Sequence, residues 1–225
     1  MTFIVSDECQ QLGLRAGAII FRNLRITATD SRLRAEIAHE VEAIRGRFPE
    51  PSAVRSTPGV VRFQELLRRV GVNPRREQPS VERLLTFALK RGDLPAVNSL
   101  VDAYNLVSVR SLCSLGAHDL DRIALPVSLR LLTGQESFTP LGRDAPLPAI
   151  AGEYGYVDAE DRVLCRLDIL QADFSKVTTE TTNVLLIVEG TAEHPPDLLR
   201  QVVADVIESV TRHCGGLTEV VAFPG

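Results

Sequence analysis

Residues 98–110 read NSLVDAYNLVSVR. Their periodicity predicts a helix that is apolar over most of its circumference, with Leu, Val, Ala and Tyr filling it. Asn98, Asp102 and Asn105 break the pattern at spacings of four and three, which places all three within an arc of about 60°. A buried, unpaired amide costs about 1–3 kcal/mol and an unpaired carboxylate more, so the stripe needs partners. Either it bonds a neighbouring loop, such as residues 113–119, and locks the fold, or it lines a wet pocket.

Outward from this helix the chain changes texture. On its N-terminal side, TFIVSD and GAIIFRNLRIT read as two strands around a short helical turn. DSRLRAEIAHEVEAIRGRF is helical, with Leu33, Ile37, Val41 and Ile44 on one face and Asp30 or Ser31 as its cap. PEPSAVRSTPG breaks the chain. VVRFQELLRRVG and SVERLLTFALKRG are two further helices, with Ser80 a cap for the second and Gly71 and Gly92 as stops. On the C-terminal side, PVSLRLLTG, ESFTPLG, GEYGYVD, RVLCRLDI and NVLLIVEG read as short strands, followed by a helix from Pro195–Pro196 to Gly215 and a closing strand, LTEVVAF. Helices first and strands second predict one α+β domain over residues 1–225. The alternative is two subdomains meeting near residue 125.

The 225 residues carry a net charge of -4, which argues against a protein held to nucleic acid, DNA above all, by bulk positive charge. A local basic patch remains open, because arginines crowd residues 45–91. Cys9, Cys113, Cys165 and Cys214 stand far apart, as do His39, His118, His194 and His213. These spacings predict neither a metal site nor a disulfide framework. No apolar run approaches the ~20 residues that span a bilayer. The expectation is a cytoplasmic chain with no membrane partner, metal or other cofactor. There is no P-loop, no dinucleotide fingerprint and no nucleophile-elbow motif.

Two stretches could carry chemistry. In SLGAHDLDRI, His118 stands beside Asp119 and Asp121, a pairing suited to acid–base work. In CRLDILQADFSKVTTETTNVLLIVEG, strand alternation would put Arg166 and Asp168 on one face, with Cys165 and Leu167 on the other. The polar turn that follows offers hydroxyls and N–H groups able to hold a carboxylate, a phosphate or a ribose. The plainer alternative is a threonine-rich turn entering a strand.

Together these residues resemble a known family. NSLVDAYNLVSV…LGAHDLDRI is similar to N-x-V-V-D-x-T-N-Y…H-A-F-D-x-D-K-I, and FSKVTTETTNVLLIVEG to S-x-V-x-x-E-T-x-N-V-L-L-E. Both belong to the B3/B4 region of the phenylalanyl-tRNA synthetase beta chain. GEYGYVD…CRLD resembles the freestanding members of that family. The likeness covers roughly residues 50–190. It implies an α/β fold, a single B3/B4-like domain with a central mixed sheet flanked by helices. In the synthetase this region hydrolyses tyrosine wrongly attached to the phenylalanine tRNA, in a pocket between the two motifs.

Carried over by residue, Asn98, Asp102 and Asn105 match the first motif, and Glu180, Thr181 and Asn183 the second. Two positions depart: the family histidine falls on Gly116, with His118 two residues on, and the family glutamate on Ile187, with Glu189 two residues on. The resemblance implies a freestanding aminoacyl-tRNA recognition or trans-editing domain that hydrolyses a mischarged ester. It is too short for a complete ligase. The alternative is a non-catalytic module binding tRNA, an amino acid or a small metabolite. On the first reading, His118, Glu153 and Arg166 would orient water or bind the carbonyl. Asn98, Asp102, Asn105, Ser175, Lys176, Thr178, Thr182 and Asn183 would hold the amino acid and terminal ribose, and Arg68, Arg69, Arg75 and Arg76 would meet the tRNA backbone.

Overall fold

A computed structural model describes residues 2–223. The chain opens with strand β1 (Phe3–Val5), a short helix α1 (Asp7–Gln11) and strand β2 (Leu14–Arg22). Helix α2 (Ser31–Arg47) starts where Asp30 accepts the Leu33 N–H at 2.8 Å, and it buries Leu33, Ile37, Val41 and Ile44. The proline-rich stretch after it, expected as a plain break, forms helix α3 (Pro51–Arg55) and begins α4 (Pro58–Arg69). Each proline stands at the start of its helix, where its missing N–H has no intrahelical partner to lose. Helix α5 (Ser80–Arg91) stops at Gly92, whose φ of 73° suits glycine. Ser80 is not the cap the sequence suggests. Pro79 holds that position, and the Ser80 N–H and hydroxyl turn to Asp168 instead.

Helix α6 (Ser99–Ser111) has ten of its thirteen residues buried, which accounts for its apolar surface. Its Leu100, Tyr104 and Val107 join one hydrophobic cluster and its Ala103, Leu106 and Val109 another. After it come β3 (Ser114–Asp119), a 3-10 turn (Leu120–Arg122), β4 (Val127–Leu131), β5 (Tyr154–Val157), β6 (Val163–Arg166), β7 (Leu170–Gln171), β8 (Val184–Thr191), α7 (Pro196–Cys214) and β9 (Leu217–Ala222). ESFTPLG is not a strand. It makes only isolated bridges, Ser137 to Arg162 and Pro140 to Ala172, since Pro140 has no N–H to extend a ladder.

The strands form two sheets. One is mixed, in the order β1-β4-β5-β6-β7, with β1 and β4 parallel. The other is antiparallel, in the order β3-β8-β2-β9. Both draw strands from either side of residue 125. All eight residues of β8 are buried. Val184, Leu186 and Val188 pack with Val202, Val206 and Val210 of α7, while Leu185 and Ile187 face the helices of the first half. Each such side chain contributes about 1.5–3 kcal/mol by leaving water, so β8 is anchored from both faces and its register with β3 is held firmly.

Candidate functional site

The polar stripe of α6 divides along the helix. Asn98 is the N-cap, its side chain accepting the Val101 N–H at 2.9 Å. Asp102 accepts the Val97 N–H at 2.9 Å and the Thr29 hydroxyl. Asp102 thus fastens the helix to Thr29 and Val97, not to residues 113–119, while Asn98 caps its own helix. Asp102 also borders a small hollow beside Thr29, Arg34 and Asp93, whereas Asn105, one turn further on, lines a different and larger cavity.

That cavity has a volume of about 300 Å³. Helices α5 and α6 form one wall, and the inner face of β3 and β8 forms the other. Side chains alternate along a strand, so Ser114, Gly116 and His118 share this face with their partners on β8. The register pairs Ser114 with Glu189, Gly116 with Ile187 and His118 with Leu185. Gly116 and Ile187, where the resemblance places a histidine and a glutamate, are therefore direct cross-strand neighbours. A Cβ added to Gly116 would meet nothing within 4 Å, so open space begins at its Cα. His118 and Glu189 stand two residues from this pair, in opposite directions along the ladder. Four residues of strand rise now separate their backbones, about 14 Å.

The cavity thus has two poles. At one, His118 shares a 3.0 Å hydrogen bond between Nδ1 and Ser175 Oγ, with both residues buried. Burial pushes the imidazole down to about 4, so it is neutral at pH 7. At the other, Asp168 accepts the Ser80 N–H at 3.0 Å and its hydroxyl at 3.2 Å, and the Ser80 and Ser114 hydroxyls meet at 2.7 Å. Glu189 accepts the Tyr156 hydroxyl. Asp168 Oδ1, Glu189 Oε1 and the Tyr154 hydroxyl have no partner. Burial raises both carboxyls. Glu189 reaches about 8, lifted further by the Asp168 charge and lowered by Tyr156.

This burial has a measurable consequence. The folded protein keeps a proton on Glu189 that the unfolded chain, at its ordinary 4.5, has released. The Glu189 contribution to stability is therefore fully present below about pH 4.5 and is lost as pH rises through about 8. Glu189→Gln is expected to remove that loss. Melting temperatures at pH 5 and pH 8 check it: the variant should gain on the natural chain at pH 8 and not at pH 5.

The other residues singled out in the sequence lie elsewhere. Arg166 and Glu153 do not line the cavity. They form a buried pair in which Nη2 meets Oε1 at 2.8 Å and Nε meets Oε2, and the same guanidinium donates to Glu77 at 3.0 and 3.2 Å. The alternation expected over residues 163–168 fails at Leu167, whose φ of 56° turns the chain. Cys165 and Asp168 consequently line the cavity, while Arg166 and Leu167 do not. In the 175–183 turn, Lys176 pairs with Asp173, Thr178 accepts the Glu180 N–H, Asn183 donates to Asp121 and Thr182 is exposed. Only Ser175 of that turn supports the cavity, through His118. Arg68, Arg69, Arg75 and Arg76 are all exposed, with Arg69 donating to the Leu12 carbonyl at 2.6 Å. Arg83 is exposed and lines the cavity. The sequence assigns it no site role, nor Ser114 or Tyr156, and makes Ser80 only a helix cap; the meeting of α5, β3 and β5 brings them to one hollow.

Among the described residues no cluster of three or more His, Cys, Asp or Glu could hold a metal ion, and no helix is long and apolar enough to cross a membrane. Fold and cavity together define a mixed α/β protein with a half-open, partly polar hollow between two helices and the strands. Residues 63–214 match the B3/4 domain model, and the chain belongs to the B3/4 domain family. No curated protein matches it. Among solved structures it is similar to an N-terminal fragment of the phenylalanyl-tRNA synthetase beta-subunit from Pyrococcus horikoshii, at 15% identity and a TM-score of 0.52. The match covers 96% of this chain and 50% of that one, so this chain spans half of the fragment's length.

Proposed function

We propose that the cavity receives the aminoacyl group of a charged tRNA 3′ end and that hydrolysis of the ester is its reaction. The observation that carries this reading is the hollow between Asn105 of α6 and the paired face of β3 and β8. It lies where the two family-like motifs meet, and its volume suits an amino acid and the edge of a ribose. The ester is intrinsically labile, so positioning a water and stabilising the developing oxyanion suffice. A neutral His118, its Nδ1 held by Ser175, has Nε2 left to take a proton from the attacking water. The water oxygen bonds to the carbonyl carbon, the bond to the ribose oxygen breaks, and that oxygen takes the proton. The Asn105 amide is a donor for the oxyanion. The exposed arginines 68, 69, 75, 76 and 83 supply phosphate contacts whose strength falls with salt.

A second reading, binding without turnover, is favoured by the glycine and isoleucine that stand where the family motifs carry a histidine and a glutamate. One assay separates the two. The chain is mixed in excess with a panel of aminoacyl-tRNAs and ester loss is followed. Turnover of one or more, slowed about a hundredfold by His118→Gln, is the expected result. Protection of an ester from spontaneous loss supports binding alone. Neither turnover nor protection with any tRNA overturns both readings.

A further inference from the structure

The hydrolysis just described makes no use of the acid pole. Asp168 and Glu189 are both more than nine-tenths buried, and both line the cavity. Each has one carboxylate oxygen bonded, to Ser80 or to Tyr156, and the other without a protein partner. The fully buried Tyr154 adds a third unpartnered polar atom. Native interiors leave few such atoms unsatisfied, and two of these three belong to acids that line one hollow. Among the described residues no lysine or arginine pairs with either acid. Arg166, the nearest in sequence, is committed to Glu153 and Glu77, and the exposed Arg83 donates to the Ile169 carbonyl.

We propose that this pole is a specificity pocket for a cationic side chain, whose terminal ammonium or guanidinium binds between Asp168 and Glu189. The inference rests on the aminoacyl-tRNA reading of the cavity. Both groups offer several N–H donors in divergent directions, which is what two separate free oxygens require. Position selects the side chain over the α-ammonium. An ester carbon within reach of His118 keeps the α-ammonium one carbon away, at the imidazole pole. Glu189 stands four residues of strand rise from His118, a distance that only a long, unbranched side chain bridges. Gly116, between the poles, leaves the path clear. Burial raises both acids, the Asp168 charge lifts Glu189 further, and a cation between them favours the ionised form of both.

The test uses the full chain and the amides of arginine, lysine, leucine and phenylalanine, which resist hydrolysis, with binding measured by calorimetry. The four corresponding aminoacyl-tRNAs are run in the turnover and protection assay. The cationic amides are expected to bind at least about tenfold more tightly than the neutral ones. Glu189→Gln, which still accepts the Tyr156 hydroxyl, should bring that ratio below about threefold while the melting curve stays cooperative. Equal binding of cationic and neutral amides, or a preference that survives Glu189→Gln, overturns the proposal. A neutral aminoacyl-tRNA processed as well as the cationic ones overturns it too and leaves the tRNA reading standing. A cationic preference among the amides with no aminoacyl-tRNA recognised does the reverse.

Discussion

Gly116→Leu is expected to leave the protein folded and to abolish binding in the cavity. Gly116 lies inside β3, in the register that pairs it with Ile187, and its φ is not among the positive ones. A Cβ there meets no atom within 4 Å. Glycine is a poor strand residue and leucine a better one, so the backbone accepts the change. The new isobutyl group must then enter the hollow, because the strand's alternation sends it there. A hollow of about 300 Å³ cannot hold both a leucine side chain and an aminoacyl group without displacing Ile187 or Tyr104. Such displacement in a packed wall costs about 1–3 kcal/mol on top of lost ligand contacts. We expect a melting temperature within a few degrees of the natural chain and a loss of affinity or turnover of about a thousandfold or more, equivalent to ~4 kcal/mol. A folded variant that still binds would remove the cavity from the functional account.

The contrast between Gly116 and Asn98 shows what the sequence could reveal. The helices were legible because burial of one face writes a 3.6-residue period into the chain, as Leu33, Ile37, Val41 and Ile44 do in α2. Asn98, Asp102 and Asn105 were equally visible as a stripe, yet sequence alone could not divide it into a cap, a loop anchor and a cavity residue. That division depends on where Thr29 and Val97 pass. Likewise Asp168 looked like a partner of Arg166 on a regular strand. A single left-handed residue, Leu167, sent the two to different places, and nothing in its leucine side chain signals a positive φ. The pairing of Gly116 with Ile187 is a register between strands some seventy residues apart, which no local pattern encodes.

The fate of Arg166 is the second large effect. Arg166→Ala is expected to destabilise the protein by about 3–5 kcal/mol, the usual cost of leaving one member of a buried ion pair without its partner. Glu153 is 4% exposed, and both its oxygens bond this one guanidinium. Glu77 is partly exposed and can turn to water, so most of the loss falls on Glu153. Changing both partners tells this role apart from a part in the chemistry. Arg166→Met with Glu153→Leu removes the buried pair together, leaves only the partly exposed Glu77 without its partner, and should recover most of the lost stability. If the pair only holds β6 to the Glu77 segment and to β5, the double variant also recovers ligand binding in the cavity, because neither side chain lines it. Chemical denaturation followed by a binding titration on both variants measures the two quantities separately. A double variant that regains stability but processes no aminoacyl ester would return Arg166 and Glu153 to the reacting groups, and would require a route from that pair to the hollow through Tyr154, whose carbonyl accepts the Leu167 N–H one residue beyond Arg166.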